Sequence, residues 1–279
     1  FGGWKDSEKK LVEQLWKHIP ADALLIEDRG FFSYKHWEML HEKHKLLVRI
    51  QKSMVFKPIK VYADGSCLAK IYPNDRCRKR DKNGILVRLI EYKLDDPQRP
   101  GHAEVHRLLT NLLDPDEFPA RELIMEYHER WEIEIVIDEQ KTHQDPCRAE
   151  KTTNLRSETT DGLRQELYAL SLGHFVVRAL MLEAATDANI DVDRLSFKGS
   201  FQILKTRLPE CDPGNEVSFS QWYAAVVWEI SCERIPPRRN RINPRVIKRK
   251  MSSWNKCRPE HRKQKPLAKP FDQIVVMVR

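Results

Sequence analysis

Tyr127-His-Glu-Arg130-Trp131-Glu-Ile-Glu134-Ile-Val-Ile-Asp-Glu-Gln-Lys141 is the stretch on which the reading of this chain turns. Tyr127, Arg130, Glu134 and Lys141 are spaced by three, four and seven residues. At about 100° per residue, an α-helix places all four within a sector of about 60°. Trp131, Ile133 and Ile137 flank that sector. A phenol, a guanidinium, a carboxylate and an ammonium in one row make a poor core stripe. They suit a surface that holds a metal ion beside a phosphate backbone. The same spacing also fits a solvated face held by weak ion pairs.

Working upstream, Asp114-Pro-Asp-Glu-Phe-Pro119 is a punctuated linker, and Pro119 fits the first turn of a helix running to about Thr142. Before it, residues 44–113 read as strands: 44–51, 60–63 and 66–71 joined across Asp64-Gly65, then 85–92 and 105–113. Further upstream, Leu24-Leu-Ile-Glu-Asp28-Arg-Gly30 is a short apolar run ending in a carboxylate and a glycine turn. It reads as a buried strand with Asp28 at its C-terminal end, the end at which open α/β sheets form their sites. An Asp before Gly is also an ordinary turn residue. Residues 6–19 carry helical spacing at Leu11, Leu15, Trp16 and Ile19, with Asp6 or Ser7 as N-cap. Downstream, 161–185 is a helix with Leu163, Leu167, Leu170, Phe175 and Leu180 as its core.

The order Tyr127-x2-Arg130-x3-Glu134-x6-Lys141 resembles the signature of the bacterial DDE transposases of the insertion-sequence-four group. Asp28 in Asp-Arg-Gly-Phe and Leu155-Arg156-Ser157 ahead of Gln165-Glu166-x-x-Ala169 fit the same family. The resemblance implies an RNase H-like catalytic domain with an inserted antiparallel β-subdomain at about 44–113. It implies Asp28 and Glu134 as catalytic carboxylates and ligands of magnesium or manganese. Tyr127, Arg130 and Lys141 would contact DNA. The family uses a third carboxylate on an opening strand. Asp6 and Asp22, the two Asp residues before Asp28, do not end apolar runs, and the chain begins with Phe rather than Met. The expectation is therefore a partial catalytic domain at 1–185, inactive alone, followed by a helical extension with a basic tail at 186–279.

The remaining composition sets limits on partners. The net charge is +8, yet residues 238–265 alone hold twelve Lys or Arg against Glu260. Such a segment binds phosphate backbones by counterion release. Six scattered Cys form no CxxC pair and fit reduced thiols. The sequence shows no apolar run near the roughly 18 residues of a membrane span. These features predict a soluble, cytoplasmic protein that binds DNA, with no membrane. The resemblance implies a nucleoid-associated protein whose partners are terminal repeats, target DNA and a second protomer, and an activity of metal-dependent cleavage and strand transfer at insertion-element ends. The alternatives are a non-catalytic DNA-binding remnant and another RNase H-like nuclease.

Overall fold

A computed structural model of the protein describes residues 8–97, 104–144, 156–235, 269 and 271–278. The expected N-cap at Asp6 or Ser7, Leu155 and the basic segment 238–265 lie outside the described residues. Packing divides the chain into two units, one on each side of Arg130 and Trp131, with the described residues after 268 belonging to the first.

In the first unit, helix α1 (Glu8–Leu15) precedes strand β1 (Leu24–Glu27), helix α2 (Tyr34–Leu40) and strand β2 (Lys45–Arg49). Strands β3 (Lys60–Val61) and β4 (Cys67–Ile71), the short helix α3 (Asp75–Lys79), and strands β5 (Ile85–Leu94) and β6 (His106–Thr110) follow. Helix α4 (Ala120–His128) closes this run. The strands form one sheet in the order β1-β2-β6-β5-β4-β3. β1 and β2 are parallel, with Glu27 opposite Val48, and every other pair is antiparallel. The strands expected as an insert at about 44–113 therefore do not stand apart. β2 takes β1 on one edge and β6 on the other, so they extend the sheet that carries Asp28.

Side-chain alternation explains why both faces are covered. Leu47, Ile90 and Leu108 point to one side and pack on Leu123, Ile124 and Tyr127 of α4. Leu46, Val48, Leu89 and Leu109 point to the other and pack on Trp37 and Leu40 of α2. Ser33 caps α2, its hydroxyl accepting from the His36 amide at 3.2 Å.

The β3–β4 turn is the expected Asp64-Gly65 hairpin, and Gly65 supplies the positive φ of 81° that the turn requires. The Asp64 carboxylate accepts from the Ser66 amide at 3.0 Å and the Ser66 hydroxyl at 2.6 Å. It also accepts from the Ala120 amide at 3.0 Å, at the start of α4. Arg88, fully buried on β5, pairs with Asp64 and donates to the Ser66 hydroxyl at 2.7 Å. Its remaining donors reach the Leu112 and Asp114 carbonyls at 3.3 Å and the Phe118 carbonyl at 2.6 Å. One guanidinium thus ties a hairpin, a strand and the linker that leads into α4.

The chain re-enters this unit at its far end. Strand β7 (Val275–Met277), preceded by a short helix (Phe271–Ile274), pairs antiparallel with Tyr92–Leu94 of β5. A region expected as a helical, basic extension therefore ends in a strand. The β-branched run Ile274-Val-Val fits the part of β5 that lies beyond β4, whose pairing stops at Leu89. Phe271 stacks on His128 of α4, with ring centroids 3.8 Å apart.

The second unit is helical: α5 (Glu132–Asp138), a π-helical turn (Glu139–Gln144), α6 (Thr160–Asp187), α7 (Phe197–Arg207) and α8 (Glu216–Cys232). Thr159, Ser196 and Asn215 cap the last three through their side-chain oxygens. Val177, Met181, Ala184 and Ala185 of α6 share one core with Phe197 of α7 and Val226, Val227 and Ile230 of α8. Packing consequently keeps residues on both sides of 185/186 together. α6 is long and apolar enough by composition to cross a membrane, which the sequence reading did not anticipate. The side bearing Val177, Met181, Ala184 and Ala185 packs within the bundle, whereas Leu167 and Phe175, expected in the core, are exposed.

The Arg88 contacts generate a prediction. Replacing Arg88 with Met should cost about 3 kcal/mol or more, because a buried pair loses one partner, and should appear as a lower urea midpoint. Burial pushes the Asp64 carboxyl up, but the Ser66 hydroxyl, the Ser66 and Ala120 amides and Arg88 outweigh it and hold it below its ordinary value. The stabilisation is therefore present above the unfolded-state value of about 3.9 and is lost as pH falls through the folded one. Asp64→Asn should lower stability at neutral pH and flatten its acid dependence. An unaltered acid limb would contradict this account.

Candidate active site and DNA-contact residues

The strand β1 presents two adjacent carboxylates, and alternation separates their roles. Glu27 points to the α2 side, where both oxygens lie 2.8 Å from Nε2 of His36. That pair is largely buried, and the His36 ring packs edge-on against Trp16 with centroids 5.0 Å apart. Asp28 falls on the opposite side, the side of α4. Its Oδ1 accepts from the Arg29 amide at 2.8 Å, and its carbonyl accepts from the Phe31 amide at 3.0 Å, which turns the chain away from the sheet. Asp28 is half-buried at the C-terminal end of the parallel pair.

Tyr127 is 7% exposed, with its ring in the core between α4 and the sheet. Its phenol is pushed above the ordinary tyrosine value, first by burial and then by the negative charge of Asp28. Arg130 and Arg49 act in the opposite direction. The Arg130 guanidinium carbon lies 6.0 Å from the Tyr127 ring centroid. Asp28, Tyr127 and Arg130, more than one hundred residues apart in sequence at their extremes, are thus near neighbours in the first unit. Arg49 joins them. It ends β2 level with Asp28, because Glu27 sits opposite Val48. Sequence reasoning did not single it out. The available signal was its position at the end of the apolar run 45–49, the same position that marked Asp28.

Glu134 and Lys141 belong to the second unit, and both are exposed. The single helix expected through about Thr142 is four abutting elements: α4, a 3₁₀ turn (Glu129–Trp131), α5 and the π turn. Each member of the Tyr-Arg-Glu-Lys set sits in a different one. A 3₁₀ turn advances about 120° per residue, and a π turn advances less than an α-helix. Winding is therefore not uniform along the stretch, as an ideal α-helix would require. The Glu129 amide reaches the carbonyls of Met125, Glu126 and Tyr127 together, which marks where α-helical winding tightens. β-Branched Ile133, Ile135, Val136 and Ile137 then crowd α5.

Further along, the Arg156 and Ser157 amides donate to the Glu166 carboxylate at 3.0 and 2.7 Å, so Glu166 folds that segment onto the start of α6. Carboxylates are hard oxygen donors of the kind magnesium and manganese prefer. Each unit by itself presents one of the two expected ligands, and no group of three or more His, Cys, Asp or Glu able to hold a metal occurs among the described residues. Neither unit alone fits a two-ion centre.

The family model described as "Transposase DDE domain" matches residues 5–170. The chain belongs to the DDE transposase family. A relative is the transposase InsG for insertion sequence element IS4 from Escherichia coli strain K12, 28% identical over 259 residues. That match covers 89% of this chain and 55% of the relative, so the chain spans about half the relative's length. No solved structure matches the chain. The mixed α/β architecture, with Asp28 at a strand end and Tyr127 on the covering helix, is consistent with an RNase H-like DDE domain.

The neighbourhood of Tyr127 in this DDE-family chain can be tested by titration. Asp28→Asn removes a negative charge that opposes phenolate formation, so the Tyr127 phenol should titrate at lower pH. Arg49→Ala removes a positive charge and should move it higher. Carbon-13-labelled tyrosine resonances report both shifts, and equal titration in all three proteins would refute the grouping.

Proposed function

We propose that the chain supplies catalytic-domain residues of a DNA transposase acting at the ends of an insertion element. The observation that carries this reading is that Asp28 and Arg49 end two adjacent parallel strands and both act on the charge balance at buried Tyr127, whose ring lies 6.0 Å from the Arg130 guanidinium carbon. It joins two separately recognised sequence features, the Asp28 strand and the Tyr127–Lys141 stretch. Asp28 and Glu134 are assigned as metal ligands. Magnesium or manganese there would supply Lewis acidity for phosphodiester cleavage and strand transfer. Arg130 and Lys141 are assigned to DNA phosphates, with Arg49 adding positive charge beside Asp28. Tyr127, rigidly held in the core, orients the terminal nucleotide.

The catalytic domain is assigned to residues up to about 185, of which the family model covers 5–170. Its partners are terminal-repeat DNA, target DNA and a second protomer, in the soluble cytoplasm. The twelve cations of 238–265 add sequence-independent affinity for DNA.

A second reading is a DNA-binding protein without catalysis. It is favoured by the fact that the described residues hold no three-ligand group for a metal. Cleavage and joining of duplexes carrying the element's ends, assayed with magnesium and with manganese, separate the two. The first reading predicts no product from this chain alone, and product from a protein that joins it to a strand carrying the third carboxylate, abolished by Asp28→Asn or Glu134→Gln with DNA affinity retained. Binding that is steeply salt-dependent, with no product in either metal even when the third carboxylate is supplied, establishes the second. Full activity in Glu134→Gln would remove Glu134 from the site.

A further inference from the structure

The π turn that carries Lys141 is fastened at both ends to α6. At its start, Glu139 is buried and accepts from three donors on α6. Nε2 of His174 lies 2.8 Å from Oε2, while Arg178 forks across both oxygens, Nε to Oε2 at 3.0 Å and Nη2 to Oε1 at 2.7 Å. His174 and Arg178 are one helical turn apart, and both pack on Phe197 of α7. At its end, Gln144 donates to the Leu170 carbonyl at 2.8 Å. The Gln144 amide lies in a notch made by Gly173, where a Cβ would collide with it. Within the turn, Thr142 donates to Asp138 at 2.6 Å. Lys141 is the exposed cation between the two fastenings.

This arrangement is a poor bargain if stability is its sole outcome. A buried carboxylate–guanidinium cluster rarely outperforms apolar residues of similar volume. A glycine in the middle of a helix costs about 1 kcal/mol relative to alanine. π turns are uncommon and concentrate at functional sites. What the cluster does secure is the direction of one surface lysine, because a turn free to relax to α-helical winding would re-aim Lys141. We infer that Glu139, Arg178 and Gln144 are positioning residues that hold the π turn so that Lys141 meets a DNA phosphate. The inference rests on the assignment of Lys141 to DNA above.

The test is the salt dependence of binding of the full chain to a fluorescein-labelled duplex. Lys141→Ala should lower the slope of log affinity against log salt by about 0.9, the value of one phosphate contact. Arg178→Ala should lower it equally although Lys141 is intact, and adding Lys141→Ala to it should lower it no further. Gln144→Ala, which removes a single hydrogen bond and leaves the buried cluster whole, should act in the same direction and covers a failure of Arg178→Ala to fold. If both anchor variants keep the wild-type slope while Lys141→Ala lowers it, the positioning role is overturned and the Lys141 assignment stands. An additive loss in the double variant would mean that Arg178 binds phosphate itself, and also overturns it. No change in Lys141→Ala removes the DNA contact and the inference with it.

Discussion

A single buried guanidinium organises the first unit. Arg88 leaves β5 on the side covered by α4, where a charge without partners would be prohibitive. Its donors are instead distributed over Asp64, Ser66 and the carbonyls of Leu112, Asp114 and Phe118. Those acceptors lie on a hairpin turn and on the linker between β6 and α4. The Asp64 carboxylate in turn receives the first amide of α4. The origin and direction of α4 therefore follow from one ion pair, and the site inherits that direction, since Tyr127 is seven residues further along the same helix.

Much of this unit was legible in sequence because its signals are local. Asp64-Gly65 specifies a tight turn through backbone geometry, and the apolar runs around Leu46 and Ile90 specify strands covered on both faces. Asp28 was identifiable because the end of a buried run is a short-range feature. Arg88 was not, because an Arg within a strand ordinarily marks an exposed face and its partners lie on other elements. β7 was hidden for a different reason: three paired residues are too few to show a period, and they follow a strongly basic region.

The Tyr-Arg-Glu-Lys set was recognised as a pattern, while the single uniform α-helix expected beneath it is not what forms. Residue spacing converts to angle at a constant rate only if winding is uniform, and here it tightens at Glu129 and loosens at Glu139. At the loosened turn Glu139 pairs with His174 and Arg178, more than thirty positions from Lys141, so no window around Lys141 contains those partners. Arg49 was missed on similar grounds, since its proximity to Tyr127 arises from parallel pairing of β2 with β1.

The return of β7 to β5 has a consequence for biogenesis. In chain order the helical unit is bracketed by two pieces of the sheet-bearing unit, so the former emerges whole while the latter is still unfinished. Until Phe271–Met277 arrives, the outer part of β5 is an uncovered edge and His128 lacks the ring that stacks on it. A ribosome that halts ahead of Val275 would release a polypeptide bearing every residue assigned to the site, yet with an open strand edge beneath the helix that carries Tyr127. Such an edge is a template for misassociation. Pairing with β7 thus removes an edge that would otherwise lie open beside the helix that carries Tyr127.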